Sequence, residues 1–228
     1  MNLDRRTVLK GAALGGLAGV GLSVSGLSLA NGALGGQPPI RRPDLLLVAA
    51  GAESAFVQGA QAAAGGQRLA VERCTPDLAY LRSIEQRLRS GKPLRLIGLV
   101  DDASAELLVE LARSAGARVQ WLGQHSASAD ASQHRVLSAE AAHGCAAQLG
   151  QQLNACGSGF VLHEQRPLGG REPLALAARQ RQAGVSSQWA TTLGFALAAL
   201  GTPHTATAPL VATSAPLRGH FVSFSIET

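Results

Sequence analysis

From residue 44 onward the chain alternates short apolar runs with longer stretches in which apolar positions recur every three to four residues. The run from Asp44 to Ala50 is apolar after its first residue, the mark of a strand covered on both faces. Glu53 to Ala64 follows as a helix with Phe56, Val57, Ala60 and Ala64 near one side. Arg68 to Cys74, Leu94 to Val100 and Arg118 to Leu122 repeat the strand pattern. Asp77 to Ser90 and Ala103 to Ala115 repeat the helical one, the second with Leu107, Leu108, Leu111 and Ala115 on one face. Thr75-Pro76 reads as an N-cap with proline at the first helical position, and Gly91 and Gly116 as helix stops. Three consecutive strand-helix-strand units predict right-handed crossovers into a parallel sheet.

The second half is less regular. A polar loop is expected from Ser126 to Ser132, a short strand from His134 to Leu137, a helix from Ala139 to Ala155 and an apolar strand from Gly159 to Leu162. Ser187 to Leu200 carries Trp189, Leu193, Ala196, Leu197 and Leu200 at helical spacing, and its Trp189 and Phe195 read as core or interface rather than a cofactor box. Gly201 to Arg218 suits a long surface loop. His220 to Ile226 alternates Val222, Phe224 and Ile226 with Ser223 and Ser225, the pattern of a half-exposed strand. The expected fold is α/β: a single doubly wound domain over residues 44–228, with a mostly parallel sheet, helices on both faces and an antiparallel C-terminal edge strand.

The segment before this domain has a different character. Asp4-Arg5-Arg6-Thr7-Val8-Leu9-Lys10 precedes an apolar stretch from Gly11 to about Leu27, diluted by six glycines before the small residues Ser28-Leu29-Ala30. Charged start, apolar middle and small-residue end make an export signal, with cleavage expected after Ala30. The pair Arg5 and Arg6, followed by Leu9 and Lys10, resembles the twin-arginine translocation motif, although Asp4 and Val8 stand where Ser or Thr and Phe are commoner. That resemblance implies a partner in the twin-arginine translocase, a periplasmic or otherwise extracytoplasmic destination, and folding before export. It also implies either a cofactor loaded inside the cell or a co-exported redox or cofactor-containing partner. The alternative is an uncleaved membrane anchor, since about twenty apolar residues just span a bilayer. Residues 1–30 are thus the signal and the Pro/Arg-rich 31–43 a linker.

Composition narrows the classes. Without its signal the chain keeps about 200 residues, room for one sizeable core. The net charge of +5 loses two units with the signal, and the remaining arginines are scattered without interleaved aromatics, which argues against nucleic acid. Cys74, Cys145 and Cys156 make no disulfide framework. Cys145 and Cys156, on one helix, stand roughly 16 Å apart, whereas a pairing of Cys74 with either stays open beside three small buried thiols.

Candidate chemistry gathers at the carboxyl ends of the strands, where open parallel sheets bind ligands. Those ends offer Glu53 and Ser54, Asp101 and Asp102, His125 and Ser126, and His163. Histidines with carboxylates suit a metal site or an acid-base pair, and Asp101-Asp102 equally suits a helix cap. His143 and Cys145, with Cys156 and either His125 or His134, follow no zinc spacing. Gly157-Ser158-Gly159 leads from helix into strand, the reverse of a nucleophile elbow. No phosphate loop, Cys-x-x-Cys or haem pattern identifies a cofactor.

The order of elements from Leu46 to Ser126, with the polar turn Asp101-Asp102-Ala103-Ser104 leading into a helix, resembles one lobe of the type I periplasmic solute-binding proteins. The resemblance spans about 80 residues; it departs from the family, which has two lobes and twice the length. Two readings remain. One is an exported, non-catalytic accessory subunit or binding module, with an exposed apolar patch expected on the 187–200 helix or the 201–218 loop. The other is a small metal-assisted or hydrolytic enzyme in which Asp101, Asp102, His125 and His163 converge.

Overall fold

The computed structural model describes residues 41–65, 68–142, 144–165, 173–181, 187–201, 207–210 and 217–228. The signal motif Arg5, Arg6, Leu9 and Lys10, the cleavage position Ala30, most of the linker, His143 and most of the 201–218 segment lie outside them. None of the helices among the described residues is long and apolar enough to cross a membrane.

Eight strands form one mixed sheet: β1 (Leu45–Val48), β2 (Ala70–Arg73), β3 (Arg95–Val100), β4 (Arg118–Ala127), β5 (Ser132–Ser138), β6 (Phe160–Gln165), β7 (Leu174–Ala178) and β8 (Gly219–Glu227), in the order β2-β1-β3-β8-β4-β5-β6-β7. The first three pair in parallel, β8 lies antiparallel to both β3 and β4, and the β4–β7 wing mixes both senses. Helices α1 (Glu53–Ala63), α4 (Cys145–Ala155) and α5 (Gln188–Ala198) cover one face, and α2 (Leu78–Leu88) and α3 (Asp102–Ser114) the other. The α/β class, the three crossovers and the helices on both faces are as expected.

Several local expectations are corrected. β8 sits in the middle of the sheet rather than at its edge. Its serines are not turned to water: Ser225 accepts from the Arg95 guanidinium at 3.2 Å and Ser223 from the Trp121 indole at 2.9 Å. Polar alternation therefore marks a buried polar layer, not an exposed face. The expected loop 126–132 is a tight hairpin, with β4 running to Ala127 and β5 starting at Ser132. The expected helix from residue 139 is a 3₁₀ turn, Glu140–Ala142, separated from α4 by Gly144 at φ 84°. Asp77, not Thr75, caps α2, its carboxylate accepting from the Tyr80 amide at 2.9 Å. β7 was not expected at all.

The α5 helix is buried at every position, so no exposed patch lies on it. Its C-terminal carbonyls are met by Arg95, which lies in β3 beneath it. The Arg95 guanidinium donates to Leu197 O at 2.6 Å and, more weakly, to Leu200 O at 3.5 Å, and also bonds the Arg41 carbonyl. A cation is well placed against the negative end of a helix dipole. Burial pulls this guanidinium down to about 10, opposed by the nearby Glu227 carboxylate, and it stays charged at neutral pH. Lysine keeps the charge and loses the fork. Arg95→Lys is expected to cost about 2 kcal/mol, seen as a lower urea midpoint with an unchanged denaturant slope.

Candidate functional site

The most developed polar constellation lies inside the molecule, under α5. The β4–β5 hairpin sets His125 opposite His134, and both side chains point to the α5 face, each only 2% exposed. Their Nδ1 atoms are 2.8 Å apart. On the far side, His125 Nε2 is 2.7 Å from Ser223 Oγ on β8, and His134 Nε2 is 2.9 Å from Ser132 Oγ. Gly123 makes the first of these contacts possible, because a Cβ there would stand 2.7 Å from Ser223 Oγ and 2.8 Å from His125 Nε2. Trp189 of α5 lies against both imidazoles, at centroid distances of 5.5 and 5.6 Å, and against Phe221 at 5.8 Å. Its indole N–H is buried and has no hydrogen-bond partner among the described residues.

The fixed ends of this chain of bonds decide where its protons sit. Trp121 Nε1 can only donate, so Ser223 Oγ accepts from it and keeps its own O–H for His125 Nε2. His125 then carries its proton on Nδ1 and donates to His134 Nδ1, and His134 carries its proton on Nε2 and donates to Ser132 Oγ. The Ser132 hydroxyl is left to the Gly159 carbonyl, 3.5 Å away. Reversing the direction would leave the Ser223 hydroxyl proton without an acceptor among the described bonds. Both imidazoles are neutral. Burial, and then the mutual repulsion of two charges, holds His125 well below its ordinary value, while burial alone takes His134 down to about 3.

This arrangement superficially resembles a serine hydroxyl activated by two histidines, since Ser132 also lines a small pocket with Ser128, Asp130, Ser158, Gly159 and Gln180. The proton direction works against that chemistry. His134 presents an N–H, not a lone pair, to Ser132, and an imidazole of such low basicity is a poor general base.

The residues singled out from the sequence do not meet. Asp101 caps α3, accepting from the Ser104 amide at 2.9 Å and its hydroxyl at 2.7 Å, and these bonds lower its pKa against the opposing effect of burial. Asp102 is exposed in the first turn of α3. Glu53 pairs with Arg73 at 2.7 Å beside the exposed Ser54, and both line a shallow depression at the end of β1. His125 is buried as described, Ser126 is half-buried on the opposite face of β4, and His163 is exposed on that same opposite face of β6, beside Arg135. The four-residue convergence required by the enzyme reading is therefore absent. No group of three His, Cys, Asp or Glu side chains among the described residues is placed to hold a metal ion. The three cysteines are free thiols; Cys145 is buried, and burial pushes its thiol up to about 12.

Sequence reasoning missed Ser132, Ser223, Trp121 and the pairing of the two histidines. The signal was present in the alternation Trp121, Gly123, His125 and Ser132, His134, Val136, which continues through what reads as a loop. No family model, no curated protein and no solved structure matches this chain.

Proposed function

We propose that this protein is carried folded out of the cytoplasm by the twin-arginine route and acts there as a non-catalytic accessory subunit or binding module for a cofactor-containing partner. One observation carries the choice over an enzyme: three of the ionisable groups near the strand ends, Asp101, Glu53 and His125, are already committed. Asp101 is a helix cap, Glu53 an ion-pair partner, and His125 part of a neutral chain whose donors run toward Ser132. Such fully bonded buried networks rigidify a core. The twin-arginine resemblance at Arg5 and Arg6 supports export of a folded chain.

The test is isolation of the exported protein from its own host under mild conditions, with intact mass, metal content and co-purifying proteins measured together. The expected result is a chain beginning at Asn31, with no stoichiometric metal and one stoichiometric partner; Arg5→Lys with Arg6→Lys is expected to leave the protein in the cytoplasm. A stoichiometric metal on the isolated chain, or unchanged export of the double variant, would overturn the reading.

A further inference from the structure

Among the described residues, one half of the sheet has a bare face. α2 and α3 cover β1, β3, β8 and the near side of β4, and among the described residues no helix continues that layer over β5–β7. Register shows what lies there. Gln124, Arg135, His163 and Ala175 form one row across β4–β7, and Val161 stands opposite Ala177 in the next. Arg135, His163, Val161, Ala175 and Ala177 are all exposed, in contrast to their strand neighbours His134, Leu162 and Glu164, which point into the core.

Two properties select an occupant. The surface is lightly apolar, with small alanines on the outer strand, and four strands at about 4.8 Å spacing give a width of roughly 14 Å, enough to seat one helix about 10 Å across. Its charged groups have one sign: Arg135 stands in the first row, beside His163 in register, Arg179 continues the alternation of β7, and no carboxylate among the described residues shares these rows. Two such faces would repel each other, which disfavours a second copy, and so few cations make a weak footprint for nucleic acid.

We propose that the bare face of β4–β7 is the docking surface for an acidic amphipathic helix of a partner protein, which completes the layer begun by α2 and α3. This rests on the accessory reading above. Apolar side chains of the helix lie on Val161, Ala175 and Ala177, and its Asp or Glu residues pair with Arg135 and accept a hydrogen bond from His163. Charge complementarity of this kind fixes orientation and speeds association.

The test places a photo-crosslinking amino acid at Val161, and separately at the exposed Arg82 of α2 as control, in the full chain within its host. The expected result is a Val161 crosslink to an Asp/Glu-bearing segment of one protein, absent from the Arg82 control. Arg135→Glu is expected to lower its yield at least about tenfold and to leave the thermal midpoint unchanged. A crosslink to a second copy of this chain, to a segment without acidic residues, or of equal yield in Arg135→Glu would overturn the assignment. Affinity isolation from the same cells separates the two levels. A partner retained equally by the wild type and Arg135→Glu refutes this surface and leaves the accessory reading standing, whereas no stoichiometric partner with the wild type refutes both.

Discussion

Lowering the pH from 8 to 5 is expected to take about 4 kcal/mol from the stability of the fold. The folded protein keeps His125 and His134 neutral, the second with a pKa of about 3. Unfolded, each is an ordinary histidine that titrates near 6.5. The unfolded chain therefore takes up protons that the folded chain refuses, so the full stability is present above about pH 7 and falls as the pH drops through the unfolded value. The slope approaches about 1.4 kcal/mol per pH unit for each histidine, and at pH 5 each contributes roughly 2 kcal/mol of the loss. The capping carboxylates Asp77 and Asp101, whose pKa values are lowered in the fold, add to the acid loss only below about pH 4. Urea midpoints measured at half-unit intervals from pH 8 to 5 check the prediction. The paired variant His125→Gln with His134→Gln should flatten that dependence whatever its baseline stability, while His163→Gln should retain it. A wild-type protein equally stable at both ends would mean that the buried pair is charged or hydrated.

A second large effect is expected where α1 crosses α5. Gly59 and Gly194 face one another there: a Cβ on Gly59 would fall well inside van der Waals contact with the Thr191 carbonyl, and one on Gly194 would do the same to the Phe56 carbonyl. The obstacle in each case is helix backbone, which has no alternative rotamer and moves only with the whole helix. Gly59→Ala, ordinarily a favourable change within a helix, should here cost more than about 3 kcal/mol, at the upper end for an overpacked core. It should push apart the layer that holds Trp189 over the histidines. Denaturant titration checks this, with near-ultraviolet circular dichroism reporting the tryptophan environment. Ser54→Ala, on the exposed side of α1, should stay within about 0.5 kcal/mol of the wild type. A Gly59→Ala protein of unaltered stability would show that the two helices do not approach as closely as described.

What could be read from the sequence divides along the same line as the sheet. The β1–β4 portion announced itself because short apolar runs and amphipathic helices alternate there, and because Gly91 and Gly116, at φ 70° and 75°, end their helices as glycine readily does. The other wing was obscured by chemistry that serves the interior. Ser223 and Ser225 look like solvent-facing positions until Arg95, Trp121 and His125 are known to lie opposite them. Residues 126–132 look like a loop because serine and alanine carry little hydrophobic signal, yet the hairpin they form is what brings His125 to His134. Asp101 as a cap was legible, since a cap depends on neighbours three residues away. The histidine pair was not, since its third strand arrives from the far end of the chain.

That late arrival has a bearing on how the protein is made. The nine residues of β8 follow all the other strands along the chain, yet they form the seam between β3 and β4. Until they arrive, the two wings of the sheet have no strand in common, and long-range pairing of this kind is intrinsically slow to form. A chain interrupted before β8 would expose two open seams instead of one continuous sheet, with the aggregation hazard that unpaired strands bring. The sheet is therefore closed only once its eighth strand has been made.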